Sequence, residues 1–86
     1  MANHKQAKKR IRQTETATER NRARRSRIRS AVKAVETAIE AGNKDVIGTV
    51  FTTAMSELHR GVSKGVVKKE TASRKIARLS ARIKSL

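Results

Sequence analysis

Apolar residues recur with helical spacing in three parts of this sequence, and the first part is the longest. Its large apolar side chains follow one another at steps of four, three and four, which is one face of an α-helix. They are Ile28, Val32, Val35 and Ile39. Residues 5–41 contain neither proline nor glycine. We therefore predict one helix from Lys5 to Ala41, ended by Gly42, because glycine readily adopts the left-handed conformation that follows a helix.

The second part predicts a helix from about Lys44 to Ser63, with Asn43 as its N-cap and Gly65 as its stop. Its apolar face is wide, as expected for the most buried helix of a bundle. The face consists of Val46, Ile47, Val50, Phe51, Ala54, Met55, Leu58 and Val62. Gly48 lies within this helix, and we interpret it as a point of close helix packing.

The third part predicts a helix that starts near Lys69 or Glu70. Its apolar residues follow at steps of four, three, four and three. They are Ala72, Ile76, Leu79, Ile83 and Leu86. The preceding Val66 and Val67 are expected to form an apolar turn that covers one end of the core.

No stretch alternates with the period of a β-strand, and the connections are short enough to make neighbouring helices antiparallel. The predicted fold is therefore all-α, a three-helix antiparallel bundle with a long N-terminal helix that extends beyond it. Eighty-six residues suffice for one domain with a thin core. We divide this single domain, residues 1–86, into a basic extension of the first helix, residues 1–27, and the bundle, residues 28–86.

The net charge of +15 is unevenly distributed along the chain. Residues 1–33 carry twelve Lys and Arg and two acids, residues 34–63 carry two and four, and residues 64–86 carry eight and one. Two basic segments thus flank a near-neutral middle. This distribution is expected if the first and last helices contact a polyanion while the middle helix mainly packs.

The extension has almost nothing apolar to bury, since Ile11 is its only sizeable apolar residue after Met1. Pairs at a spacing of three, Arg12 with Glu15 and Glu19 with Arg22, would each offset the repulsion among its cations by only a few tenths of a kcal/mol. We therefore expect the extension to be poorly ordered in isolation, frayed at residues 1–4, and to become helical when phosphates neutralise it.

The face of the extension that continues the apolar stripe carries small residues, namely Asn21, Ala17 and Thr14. They are open to two interpretations. They are either low-cost helix filler or positions that let a nucleic-acid backbone approach closely.

The sequence offers no clustered catalytic or metal site. It has no cysteine, and its two histidines lie far apart, His4 at the frayed end and His59 at an expected surface position. Neither a glycine-rich phosphate loop nor paired carboxylates occur. We therefore predict a protein that is not an enzyme and that uses no cofactor, metal or small-molecule substrate.

Membrane and export signals are also missing from the pattern. No apolar run approaches the ~20 residues of a membrane span, and no apolar stretch follows the basic N-terminus as a secretory signal requires. A mitochondrial transit peptide would need an apolar face where Ile11 stands nearly alone. These patterns predict a cytoplasmic protein without membrane contact.

The arginines of residues 20–29 point in nearly every direction around the helix, whereas a helix lying in one DNA groove would be basic on one side. Charge on all sides suits a helix inserted among several backbone segments, as folded RNA provides. Phe51 is the only aromatic residue and occupies a core position, so bases can stack only on arginine planes. We expect phosphate and 2′-hydroxyl contacts, which read shape, and the arginine fork suits phosphate better than lysine does.

Three other functions share parts of this pattern. A general nucleic-acid-compacting DNA-binding protein of the nucleoid type has the same composition and is the main alternative. A basic-zipper protein would need several heptads, but the stripe ends after about two. A cationic membrane-surface peptide would need a large apolar face beside the basic one, and the extension lacks it.

Several segments, in their order and spacing, resemble the S20 family of bacterial small-subunit ribosomal proteins. The resemblance covers essentially the full length of the chain. The segments are residues 2–10 (ANHKQAKKR), 21–33, 38–42 (AIEAG), 64–67 (KGVV), 72–74 (ASR) and 77–79 (ARL). Gln6, Lys68 and Glu70 depart from the family, which commonly has serine, histidine and asparagine there. Because glutamate is a poorer N-cap than asparagine, the departure at Glu70 bears on where the third helix starts.

The resemblance implies a three-helix bundle that binds small-subunit ribosomal RNA directly, inserts its long helix among RNA helices and acts early in subunit assembly. It also implies a location in the cytoplasmic ribosome, with other ribosomal components as neighbours and no homo-oligomer. The candidate RNA-binding residues come from three sets: the opening lysines, the polar residues within 21–33, and other cations of the two basic segments. They are Lys5, Lys8, Lys9, Arg10, Arg12, Arg20, Asn21, Arg22, Arg24, Arg25, Ser26, Arg27, Arg29, Lys33, Lys64, Lys68, Lys69, Arg74, Lys75, Arg78 and Arg82.

Overall fold

The computed structural model of the protein describes residues 3–86, and it describes side chains from residue 6 onward. Three α-helices follow one another in the chain: α1 (Asn3–Ala41), α2 (Lys44–Ser63) and α3 (Lys69–Lys84). No strand occurs in residues 3–86. The predicted three-helix antiparallel bundle with a long first helix is confirmed, and the predicted helix bounds agree to within two residues.

The molecule is elongated because α1 is far longer than its partners. Its 39 residues span about 58 Å at about 1.5 Å per residue, and the whole structure measures 64 × 21 × 14 Å. The radius of gyration is 17.6 Å, against about 12 Å for a compact chain of this length. From residue 6 to residue 27, every residue is exposed except Arg24, which is half-buried.

The core lies where the C-terminal half of α1 packs on α2, and α3 closes it from the side. Val35 of α1 and Ala54 of α2 are completely buried, and Leu79 of α3 is nearly so. The core cluster consists of Ile28, Val32, Val35, Ile39, Ala54, Leu58, Ala72 and Leu79. All four residues of the predicted α1 stripe belong to it. The helical spacing in the sequence therefore identified the buried face of α1 correctly, and the expectation that Val67 covers this core is also confirmed.

Residues at the edges of the predicted apolar faces are less buried than expected for large apolar side chains. Val46 and Leu86 are exposed, at 40% and 45%, and Phe51 and Met55 are only half-buried. The apolar arc of α2 is wider than two neighbouring helices can cover, so residues at its edge remain in contact with solvent. Leu86 lies two residues beyond Lys84, the last residue of α3.

Glycine ends α1 through backbone hydrogen bonds that a left-handed residue makes possible. Gly42 has φ +66°, and its N–H donates to the carbonyl of Ile39 at 3.1 Å. The N–H of Asn43 donates to the carbonyl of Ala38 at 3.0 Å. This pair of bonds is a Schellman motif, and Gly65 (φ +73°) closes α2 in the same way. Both predicted helix stops are confirmed.

The predicted N-caps differ from the structure in two details. Asn43 occupies the N-cap of α2, but its side chain makes no capping hydrogen bond and its ψ is 83°. This ψ departs from the extended conformation usual at an N-cap. The N-cap of α3 is Lys68 rather than Glu70, which lies in the first turn. A carboxylate there is favourable toward the helix dipole, so the departure at Glu70 does not prevent α3 from starting at Lys69.

Close helix packing occurs at Gly61 and not at the predicted Gly48. A Cβ at Gly48 would have no heavy atom within 4 Å apart from its own helix and chain neighbours. A Cβ at Gly61 would lie 2.7 Å from Cδ1 of Ile28 and 3.1 Å from Cγ2 of Val67. Gly61 is buried, so its missing side chain lets α1 and the α2–α3 connection approach α2 together.

The two glycines should therefore respond in opposite ways to alanine. Gly48→Ala should raise the free energy of unfolding by up to about 1 kcal/mol, because alanine is the better helix former. Gly61→Ala should lower it by about 1 kcal/mol, since overpacking a core typically costs 1–3 kcal/mol and outweighs the same helical gain. Thermal or urea unfolding of both variants measures the difference. Equal stabilisation by the two substitutions would contradict the close packing at Gly61.

Candidate nucleic-acid interface

The α1 extension, which we define as residues 3–27 of α1, presents its cations to solvent on all sides. Lys8, Lys9, Arg10 and Arg12 are exposed, as are the predicted residues from Arg20 to Arg27 other than half-buried Arg24. The side chain of Lys5 lies outside the part that the structure describes. Because 25 residues of helix are about 37 Å long, the extension carries its charge well away from the bundle.

No ion pair between the described residues neutralises the charge of the extension. All three ion pairs between described residues lie in the bundle, so the predicted pairs Arg12–Glu15 and Glu19–Arg22 do not form. Such exposed pairs are weak, and their long side chains lose entropy on pairing. The cations therefore remain free to bind an external anion.

Hydroxyl groups of the extension are directed at its own backbone. Thr14, Thr16 and Thr18 each donate to the carbonyl four residues earlier, at 2.8–2.9 Å. The exposed donors that remain are mostly arginines and lysines, together with the candidate residues Asn21 and Ser26. The small residues Thr14, Ala17 and Asn21 line one shallow depression along the helix, which agrees with either interpretation of that face.

A second basic surface lies between α1 and α3, in a groove of about 600 Å³. Five predicted RNA-binding cations meet there, from positions 29 to 78 of the sequence. We call it the α1–α3 groove, and its lining residues are Ile28, Arg29, Val32, Lys33, Glu36, Leu58, Val67, Thr71, Arg74, Lys75 and Arg78. Its floor is apolar and its rim is cationic.

Helical spacing explains why these residues meet. On α3, Thr71 and the cations after it occupy positions i, i+3, i+4 and i+7, which form one face of a helix. On α1, Arg29, Lys33 and Glu36 occupy positions i, i+4 and i+7. The fold turns this face of α3 toward α1.

Glu36 joins the two walls of the groove through ion pairs. Its Oε1 lies 3.6 Å from Nζ of Lys75 and 3.9 Å from Nη1 of Arg82. All three side chains are more than a third exposed, so these pairs contribute little to stability. They do hold two of the predicted RNA-binding cations against α1.

The remaining predicted residues do not join the groove. Lys64, Lys68 and Lys69 are exposed at or near the α2–α3 connection, and the extension cations lie along α1 away from the bundle. Sequence reasoning missed Glu36, Thr71 and the apolar floor as parts of a site. The spacing of Thr71 relative to Arg74 and Arg78 was the available signal.

The outer face of α2 contrasts with both basic surfaces. Its exposed side chains are mostly uncharged, for example Thr49, Thr52, Thr53 and Ser56, and Arg60 lies 3.5 Å from Glu57 in an i,i+3 pair. This agrees with the prediction that the middle helix mainly packs.

The part of the chain that the structure describes is not arranged to bind a metal ion or to span a membrane. His59 is exposed, and among the residues that the structure describes no three His, Cys, Asp or Glu side chains come together as a metal site would need. None of the described helices has an apolar stretch sufficient to cross a membrane.

Comparison with known proteins gives one consistent family. Residues 2–84 match the family described as Ribosomal protein S20. The chain is 57% identical to the small ribosomal subunit protein bS20 of Rhodospirillum rubrum over 86 residues, which cover 100% of this chain and 98% of the relative. Proteins of the same name from Acidiphilium cryptum and Paracoccus denitrificans are 56% and 54% identical, again over the full chain and over 96% and 97% of each relative. The chain therefore belongs to the ribosomal protein S20 family, whose members are structural proteins and not enzymes.

Proposed function

We propose that the protein binds small-subunit ribosomal RNA directly and stabilises the fold of that RNA during assembly of the subunit. The α1 extension neutralises phosphates that would otherwise repel one another where RNA helices meet. The bundle fixes where the extension starts and points, and α3 adds a second basic surface. Other ribosomal components are neighbours, and no homo-oligomer is required.

The observation that carries this proposal is the free charge of the α1 extension. Its cations surround a helix without core contacts, and no ion pair between described residues involves them. A helix that is basic on every side fits a site bounded by several phosphate backbones. Membership in a small-subunit ribosomal protein family identifies the cytoplasmic ribosome as the location and makes its RNA the natural anion.

Replacing Arg22, Arg24 and Arg25 together by glutamine should weaken RNA binding, because three phosphate-binding charges are lost. The slope of log affinity against log salt should become shallower by up to about one unit per lost phosphate contact. Filter-binding titrations at several salt concentrations measure both quantities.

Two controls separate charge from other effects of that triple variant. Replacing the same residues by lysine retains the charge, so the salt slope should stay near its original value while the loss of the planar fork lowers affinity less. Thermal unfolding should show an intact bundle in both variants. Unchanged affinity accompanied by lower stability in the glutamine variant would show that these arginines do not bind RNA.

A competition titration tests whether the partner is folded ribosomal RNA. Labelled small-subunit ribosomal RNA is bound near physiological salt and challenged with excess double-stranded DNA or unrelated duplex RNA. Neither competitor should displace the protein, because a shape made of several backbones is not present in a simple duplex. Displacement by both, nearly equal per phosphate, would favour the alternative of a general nucleic-acid-compacting protein.

Helix content should rise when RNA binds, since repulsion among the extension cations opposes the helix in the free chain. In the structure the described residues are 89% helical, and the free chain should fall short of this value by circular dichroism. Amide hydrogen exchange locates the change, with α2 and α3 as internal controls that should be protected in both states. Full protection of residues 6–27 without RNA would contradict coupled folding, although not RNA binding itself.

A further inference from the structure

We propose that the α1–α3 groove holds one unstacked nucleotide of the bound RNA, with its base against the apolar floor and its flanking phosphates on the cationic rim. This inference rests on the proposed RNA-binding function and adds a base-contacting site to it. The extension reads only backbone shape, whereas the groove would accept a single splayed nucleotide.

The size of the groove fits a ligand of this kind. Its volume of about 600 Å³ lies in the range of 300–1,000 Å³ typical of small-molecule sites. The floor is formed by Ile28, Val32 and Leu58, all at least 92% buried, together with half-buried Val67. Although these three side chains are themselves largely covered, the accessible lining of the groove as a whole is mostly apolar, and phosphates alone would leave it in contact with water. A flat, weakly polar base covers it.

The charge of the rim matches a nucleotide within a chain. Arg29 and Lys33 stand on the α1 wall, and Arg74, Lys75 and Arg78 stand on the α3 wall. A nucleotide inside an RNA strand has a phosphate on each side, so cations on both walls can each contact one. A single-headed anion such as a fatty acid would need cations at only one end of the groove.

The arginines also supply the stacking surface that the sequence otherwise lacks. Phe51 is the only aromatic residue and does not line the groove. RNA-binding proteins stack unpaired bases on arginine guanidinium planes as well as on aromatic rings. Arg29, Arg74 and Arg78 bring three such planes to one cavity, above an apolar floor.

Glu36 is the one negatively charged residue among those that line the groove. It pairs with Lys75 at 3.6 Å and Arg82 at 3.9 Å, which ties α3 to α1 beside the groove. Its negative charge disfavours phosphate beside Lys75 and Arg82, so the flanking phosphates should lie at the other rim cations. The exocyclic amino group of a base could donate to any carboxylate oxygen that the pairs leave open.

Base-specific chemical probing of small-subunit ribosomal RNA, with and without the full-length protein, tests the inference. At least one unpaired base should lose reactivity in the complex. Thr71→Met fills the groove from its exposed rim without adding charge or an aromatic ring, so this base should regain reactivity. The affinity should fall by up to about 150-fold, the upper end of the range that stacking of one base on an aromatic ring contributes. Ser73→Met is the matched control, since Ser73 is exposed on α3 but does not line the groove.

A second pair of variants tests the rim without filling the groove. Arg78→Gln should restore reactivity of the same base, whereas Lys84→Gln removes an equal charge from α3 outside the groove and should leave the base protected. Circular dichroism of each variant establishes that the bundle is folded. If the wild-type protein binds the RNA but the base protections are the same in all four variants, the groove is not a nucleotide site and the proposed function stands. If the wild-type protein shows no preference for ribosomal RNA over duplex competitors, the proposed function itself is wrong.

Discussion

Burial of the α1 stripe against α2 is the interaction on which the rest of the structure depends. Val35 and Ala54 are completely inaccessible at this interface, and the direction of the whole first helix is fixed by it. Because α1 continues without a break toward its N-terminus, the same packing aims the extension. A thin core thus positions about 37 Å of helix, in which residues 6–27 are exposed except for half-buried Arg24.

Ile28 divides α1 into a C-terminal part that is stabilised by the core and an N-terminal part that is not. From this residue onward, apolar burial offsets the loss of conformational entropy. Before it, side chains of like charge gain nothing from the protein and repel one another. The helix is continuous in covalent structure, but its two halves need different partners. Under our proposal, the bound RNA supplies the N-terminal half with the stabilisation that the core supplies to the other half.

Periodicity and glycine chemistry allowed most of the fold to be predicted from the sequence, because both are local. The α1 stripe, the stops at Gly42 and Gly65 and the bounds of α2 all follow from residues within a few turns of one another. The close approach at Gly61 could not be read locally, since it depends on where Ile28 and Val67 arrive in space. Gly48 has the same chemistry and faces open space. For the same reason, the exposure of Val46 at the edge of an apolar arc became visible only in the assembled bundle.

The candidate site likewise has one part that the sequence predicts and another that only the folded structure reveals. The charge of the extension is a property of composition, so sequence alone identified it. The α1–α3 groove is a property of packing, because α3 must turn its Arg74 and Arg78 flank toward Arg29 before a cavity exists. The ligand that the groove would prefer depends both on its charge and on its packing. Charge gives affinity for any polyanion, but an apolar floor under a cationic rim favours an anion with a flat, hydrophobic part. The structure therefore combines a long cationic helix with a small groove that has an apolar floor and a cationic rim, and our proposals assign many phosphates to the first and a single base to the second.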